Sequence, residues 1–176
     1  PNTQETNQFD VRIDQNLRAS DRLFVYYDYD KSDFVTPGII PAPANSPVPI
    51  GPYLSSGSNN GAISEPLFNQ DATVGYTKVI GSKIVSQSHV GLVRWNARIT
   101  PLGMKYNTAT ALGIPGMNFN QQSGGMPAFT VSGLTEIGDN STFPEDSAQT
   151  SLQGDTALTV ILGSHNLQLG IVALRH

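Results

Sequence analysis

Between Gln8 and Asp30, oily and polar positions alternate residue by residue. In QFDVRIDQNL, Phe9, Val11 and Ile13 share one parity, while Asp10, Arg12 and Asp14 share the other. In DRLFVYYDYDKSD, Leu23, Val25, Tyr27 and Tyr29 stand on one parity against Arg22, Phe24, Tyr26, Asp28 and Asp30. Successive side chains of an extended strand point to opposite faces, so each run predicts a strand with one apolar face and one charged face. The short polar link QNLRASD between them predicts a β-hairpin.

Two further hairpins follow. DATVGYTKVIGSKIVSQSHVGLVRWNARI alternates around a tight turn at Ile80-Gly81-Ser82-Lys83, with Val90 and Leu92 on one face of the return strand and Val93 and Trp95 on the other. TSLQGDTALTVIL turns through GSH into NLQLGIVAL, which sets Leu167, Leu169, Ile171 and Ala173 on one parity. The predicted hairpins span about 7–30, 71–97 and 148–175. The stretches between them, about 31–70 and 98–147, are crowded with Pro, Gly, Ser and Asn and predict long loops. Within the second, PAFTVSGL predicts a short strand, and Thr108 to Leu112 predicts a single helical turn stopped by Gly113 and Pro115. The chain therefore reads as all-β, an antiparallel meander of about six to eight long strands with short turns at one end and long loops at the other.

That layout predicts a partial segment of a transmembrane β-barrel in a bacterial outer membrane. Hydrocarbon supplies no hydrogen bonds, so a spanning sheet closes on itself and turns its apolar side to lipid. Phe9, Val11, Ile13, Leu23 and Val25 are the expected lipid-facing residues. Tyr27, Tyr29, Tyr76 and Trp95 are the expected aromatic girdle. Asp10, Arg12, Asp14, Arg22 and Asp28 are the expected lumen-facing residues. Six strands fall short of the roughly eight of the smallest single-chain barrels, so a piece of a longer protein is expected. The competing reading is a secreted or surface-exposed β-sandwich binding module, whose apolar face would meet a second sheet and whose long loops would bind a partner.

Composition narrows the partners. The chain has 176 residues, a net charge of -4 and a pI near 5.2, with no basic footprint for nucleic acid. It has no Cys, hence neither disulfides nor thiolate metal sites. Charged residues make up only 14%, low for a soluble domain, which favours strands and polar loops over helices. No run approaches the roughly 18 apolar residues of a membrane helix, and the opening Pro1-Asn2-Thr3-Gln4 is not that of a signal peptide.

Candidate chemistry is sparse. DYDKSD sets Asp28, Asp30 and Ser32 at alternate positions, as a calcium loop begins, but Asp33 and Ile39 occupy the places that need Gly and Glu, leaving only a looser loop site. His89, His165 and His176 lie far apart and without ligand spacing. Glu136, Asp139, Glu145 and Asp146 read as solvated loop charges, and Asn140 heads a short glycosylation-like triplet. No nucleophile elbow or phosphate loop appears, so no enzyme and no cofactor is expected. Tyr53, Tyr106, Phe119 and Phe129 stand in the long loops, where ligand contact is expected.

Three segments carry a family resemblance. NQFDVRIDQNLRASDRLFVYYDYDKSD resembles a barrel hairpin of TonB-dependent outer-membrane receptors, in the Oar-like group that carries a carboxypeptidase-regulatory-like domain. LGIPGMNF with GMPAFTVSGLTEIGD resembles that group's long loop, and GDTALTVILGSHNLQLGIVALRH resembles its next hairpin, with an aromatic and a basic residue replaced. The resemblance covers Asn7 to Arg175. It implies a barrel of about 22 strands filled by a plug, importing a scarce nutrient with energy from the TonB system. No plug or TonB-contacting segment is visible in the sequence, so the expected partners are membrane lipid, the rest of the parent barrel, a nutrient ligand, and TonB through a plug outside this chain.

Overall fold

The computed structural model describes residues 2–38, 40–41, 45, 53–54 and 62–176. Six strands form one sheet: β1 Thr3–Arg18, β2 Asp21–Thr36, β5 Ile63–Ile80, β6 Ile84–Pro101, β7 Glu145–Leu162 and β8 His165–Arg175. They lie in chain order, β1-β2-β5-β6-β7-β8, as an antiparallel meander that does not close. Two short strands, β3 Ile40–Pro41 and β4 Tyr53–Leu54, pair with each other. A single helical turn, α1, spans Thr108–Ala111, and a 3-10 turn spans Gln121–Ser123.

The three predicted hairpins are present, and their strands run further than the alternation. β2 continues to Thr36 and β5 already begins at Ile63. Alternation marks only the part of a strand whose two faces meet different surroundings. Polar strand ends pair as well, and the Thr6 and Ser32 hydroxyls lie 3.1 Å apart. The DYDKSD stretch is thus continuous strand, where the sequence predicted a long loop from residue 31 onward. PAFTVSGL forms only a bridge between Phe129 and Ile137.

Contacts divide the chain into two units. One comprises Pro1–Thr6, Ser32–Leu67 and Ala97–Ser147, which holds the polar strand ends and the long connections. The other comprises Asn7–Lys31, Phe68–Asn96 and Ala148–His176, which holds the alternating hairpins and their tight turns. In this hairpin unit even the shortest strand, β8, has 11 residues, enough for the roughly 9–11 that cross a hydrocarbon core. Its second and third turns both begin Gly-Ser, with Gly81 at φ 62° and Gly163 at φ 60°, where a Cβ would be strained.

Side-chain contacts sort the hairpin unit into two faces. On one, Phe9 stacks on Tyr29 at 5.2 Å and lies 6.0 Å from Tyr27, Tyr29 meets Phe68 edge-on at 5.3 Å, and Gln70 donates to the Tyr27 hydroxyl at 2.7 Å. On the other, the Arg12 guanidinium lies 4.3 Å over the Phe24 ring, and Phe24 packs against His89 at 5.9 Å. Gly75 makes that second cluster fit. A Cβ there would collide with the Phe24 ring and come within 2.8 Å of His89, so the bare backbone is the seat for both rings.

Overpacking of this kind costs roughly 1–3 kcal/mol. Gly75→Ala is expected to lower the unfolding free energy of the folded barrel by that amount in a denaturant titration. Combined with Phe24→Ala, which opens the space, the added methyl should cost markedly less; equal costs in both backgrounds would sink the account.

Candidate membrane interface and outward loop

The hairpin unit does not hide its apolar side. Phe9 (51%), Ile13 (63%) and Ile171 (72%) are exposed, along with Val11, Leu17, Val25, Val74, Val90, Leu92, Leu152, Leu158, Leu167 and Leu169. Among the described residues the buried apolar side chains are the small Ala62, Ala97 and Ala109. A continuous apolar face of this extent is not stable against water and requires an apolar partner. The opposite face carries the polar contacts, among exposed Val93, Trp95, Val172 and Leu174: Arg12 forms an ion pair with Asp14 at 2.7 Å, Arg22 donates to Asn16 at 3.3 Å, and His89 is hydrogen-bonded to Asp155 at 2.9 Å.

The sequence-predicted residues distribute over these faces by strand alternation. Phe9, Val11, Ile13, Leu23 and Val25 lie on the side of the Phe9–Tyr29–Phe68 cluster. Tyr27, Tyr29 and Tyr76 share that side. Trp95 does not join them: it alternates with Arg94 and falls on the side of His89, Gly91 and Val93, which together line a groove of the polar face. Its grouping with the three tyrosines is corrected accordingly. Asp10, Arg12, Asp14, Arg22 and Asp28 lie on the Phe24 side. The His89–Asp155 and Ser151–His176 hydrogen bonds, the latter 2.9 Å, were not legible in the sequence, because their partners come from different strands.

In the other unit, the connection after β6 is held by its own polar contacts. Asn118, at φ 51°, accepts the Thr110 N–H at 3.0 Å and donates to the Ser123 and Gly125 carbonyls at 2.6 and 3.1 Å. Asn120 and Ser123 cap each other reciprocally around the 3-10 turn. The Asp139 carboxylate accepts the Met126 N–H at 2.8 Å, and the Asp139 N–H returns a bond to the Met126 carbonyl at 2.8 Å. A side chain on Gly125 would run into that carboxylate. A cavity of about 240 Å³ is lined by Asn118, Met126, Asp139 and Phe143, and another of about 580 Å³ by Thr100, Met104, Lys105, Asn107 and Gln121. Of the loop aromatics, Phe119 is largely exposed, Tyr106 lies under the Lys105 ammonium at 5.4 Å, and the side chain of Tyr53 lies outside the described residues.

Asp139 is the anchor that sequence reading took for a solvated charge. Burial pushes its carboxyl above the ordinary value of 3.8, and the Met126 N–H opposes that shift. A carboxyl with a raised folded pKa contributes stability that is fully present below 3.8 and lost as pH rises through the folded value. Limited proteolysis of the 102–144 connection should therefore quicken between these two pH values relative to an Asp139→Asn control. Parallel profiles for the wild type and the Asp139→Asn variant would contradict the assignment.

An alternating sheet with one uncovered apolar face, its strands joined in turn by tight turns and long connections, is the build of a lipid-embedded barrel wall. No curated protein and no solved structure matches the chain. The family described as outer membrane beta barrel domain matches residues 1–176. The chain belongs to that family, and its place is the bacterial outer membrane.

Proposed function

We propose that this chain is part of the barrel wall, with the outward loops, of a TonB-dependent outer-membrane transporter that imports a scarce nutrient. The observation that carries the reading is a wall too short to close, joined to a long connection that holds its own shape. Six strands need further strands to complete a barrel of about eight or more. The 102–144 connection is tied down by Asn118 and Asp139 rather than left as a floppy tether. The resemblance of three segments to Oar-like receptors points to the same class. Ligand would be captured at the loops and passed through a plug-gated lumen lined by the Arg12–Asp14 and His89–Asp155 face.

The sandwich alternative requires a second sheet over Phe9, Val11 and Ile13, and these side chains are about half exposed or more. No observation favours it, and cell fractionation separates the two. A barrel wall travels with heat-modifiable outer-membrane protein, whereas a secreted module stays soluble.

Two outcomes are expected of the parent protein. Val11→Arg or Val25→Arg should cost about 2–4 kcal/mol at the bilayer midplane and reduce assembly, while Asp10→Arg should be tolerated. Normal assembly of both valine variants would reverse the facing. Excision of 102–144 should abolish energised uptake of the nutrient yet leave heat-modifiability intact. Uptake that persists in cells lacking TonB would remove the transporter class while leaving the barrel.

A further inference from the structure

Charge in the hairpin unit is segregated by face. Strand alternation puts Asp10, Asp14, Asp28, Asp30, Asp71 and Asp155 on the polar side, leaving only Asp21, buried in the first turn 4.0 Å from Arg18, outside that set. Asp21 at the start of β2 aside, the charged residues that alternate onto the apolar side are cations: Lys31, Lys78, Arg94 and Arg175. Lys78 lies toward the Gly81 turn. Arg94 lies toward the end of β6 that leads into the 102–144 connection, and Arg175 stands at the end of β8 away from the Gly163 turn.

These two arginines flank one strand. Leu152 of β7 pairs with Arg175 of β8. On the other side of β7, Ser88 meets Thr156 at 2.9 Å, and continuing that antiparallel register sets Arg94 across from Thr150. The two guanidinium stems thus rise from strands roughly 10 Å apart, two interstrand spacings, with the Thr150 and Leu152 side chains between them. Both are exposed, and neither has an ion-pair partner among the described residues. A cation on a lipid-facing surface reaches for the interface, where the anion on offer is headgroup phosphate, which a guanidinium binds in bidentate fashion.

We propose that Arg94 and Arg175 clamp the phosphate of an anionic outer-leaflet lipid against β7, with Thr150 as a neutral donor. This rests on the barrel-wall reading above. The test is native mass spectrometry of the detergent-purified barrel carrying this chain, titrated with diphosphorylated lipid A, its dephosphorylated form, and phosphatidylcholine. Diphosphorylated lipid A should bind tightest. Each arginine near an anionic lipid is worth about fivefold, so Arg94→Gln with Arg175→Gln should weaken binding roughly 25-fold, and Lys78→Gln should not. If the double variant does not assemble, the Arg94→Lys and Arg175→Lys pair keeps the charges, and weaker binding through loss of the bidentate contact is expected from it.

Equal binding of the dephosphorylated lipid, or unchanged binding by a correctly assembled double variant, overturns the site. A double variant that keeps its lipid but loses heat stability assigns the arginines to carboxylates of a neighbouring strand and overturns it too. In those cases the barrel wall stands. A wild-type protein absent from the heat-modifiable outer-membrane fraction instead removes the barrel-wall reading itself.

Discussion

The constraint on which the structure depends is that hydrocarbon offers a peptide group no hydrogen bond. Every N–H and C=O at membrane depth must find its partner on the next strand, and the chain answers with long antiparallel ladders in sequence order. Once the backbone is settled that way, side chains are left with two directions only. The strict alternation of Phe9, Val11 and Ile13 with Asp10, Arg12 and Asp14 is the consequence. The usual interior of a soluble domain is missing because apolar side chains point outward, and the buried apolar residues described are alanines. Stability comes from paired backbone and from cross-strand contacts, and the exposed apolar side calls for an apolar medium.

Those cross-strand contacts are specific. The polar side cannot rely on greasy packing, so it is organised around a few keyed positions. Gly75 gives up its side chain so that Phe24 and His89 can lie on the sheet, and Arg12 covers Phe24 from above. His89 in turn bonds Asp155, linking β6 to β7. A glycine in a strand ordinarily weakens it; here its neighbours fill the gap, and the position pins the register of the hairpins around it.

The connection after β6 follows a different logic. It leaves Leu112, Met117, Phe119, Val131 and Leu134 exposed and is held by amide and carboxylate groups that satisfy backbone donors and acceptors. Asn118 and Asp139 do for this segment what hydrophobic packing does for a small domain. A connection fixed by such contacts presents a constant surface, which is what a capture site in the proposed transporter would need.

Sequence alone determined the fold class, the three hairpins and the Gly-Ser turns, because alternation and positive φ at glycine are local properties of the chain. It also sorted the charged residues by parity, and so implied which side of β1 and β2 is oily. The strand ends past Lys31 and before Phe68 escaped it, since polar residues on both faces leave no period to read. Trp95 was grouped with the tyrosines because it is aromatic, but which side it takes depends on where His89 stands relative to Asp155 across the sheet. Asp139 looked like any loop acid until the fold brought Met126 to it. Partners of that kind are chosen by contacts between residues distant in sequence, and only the tertiary structure brings them together.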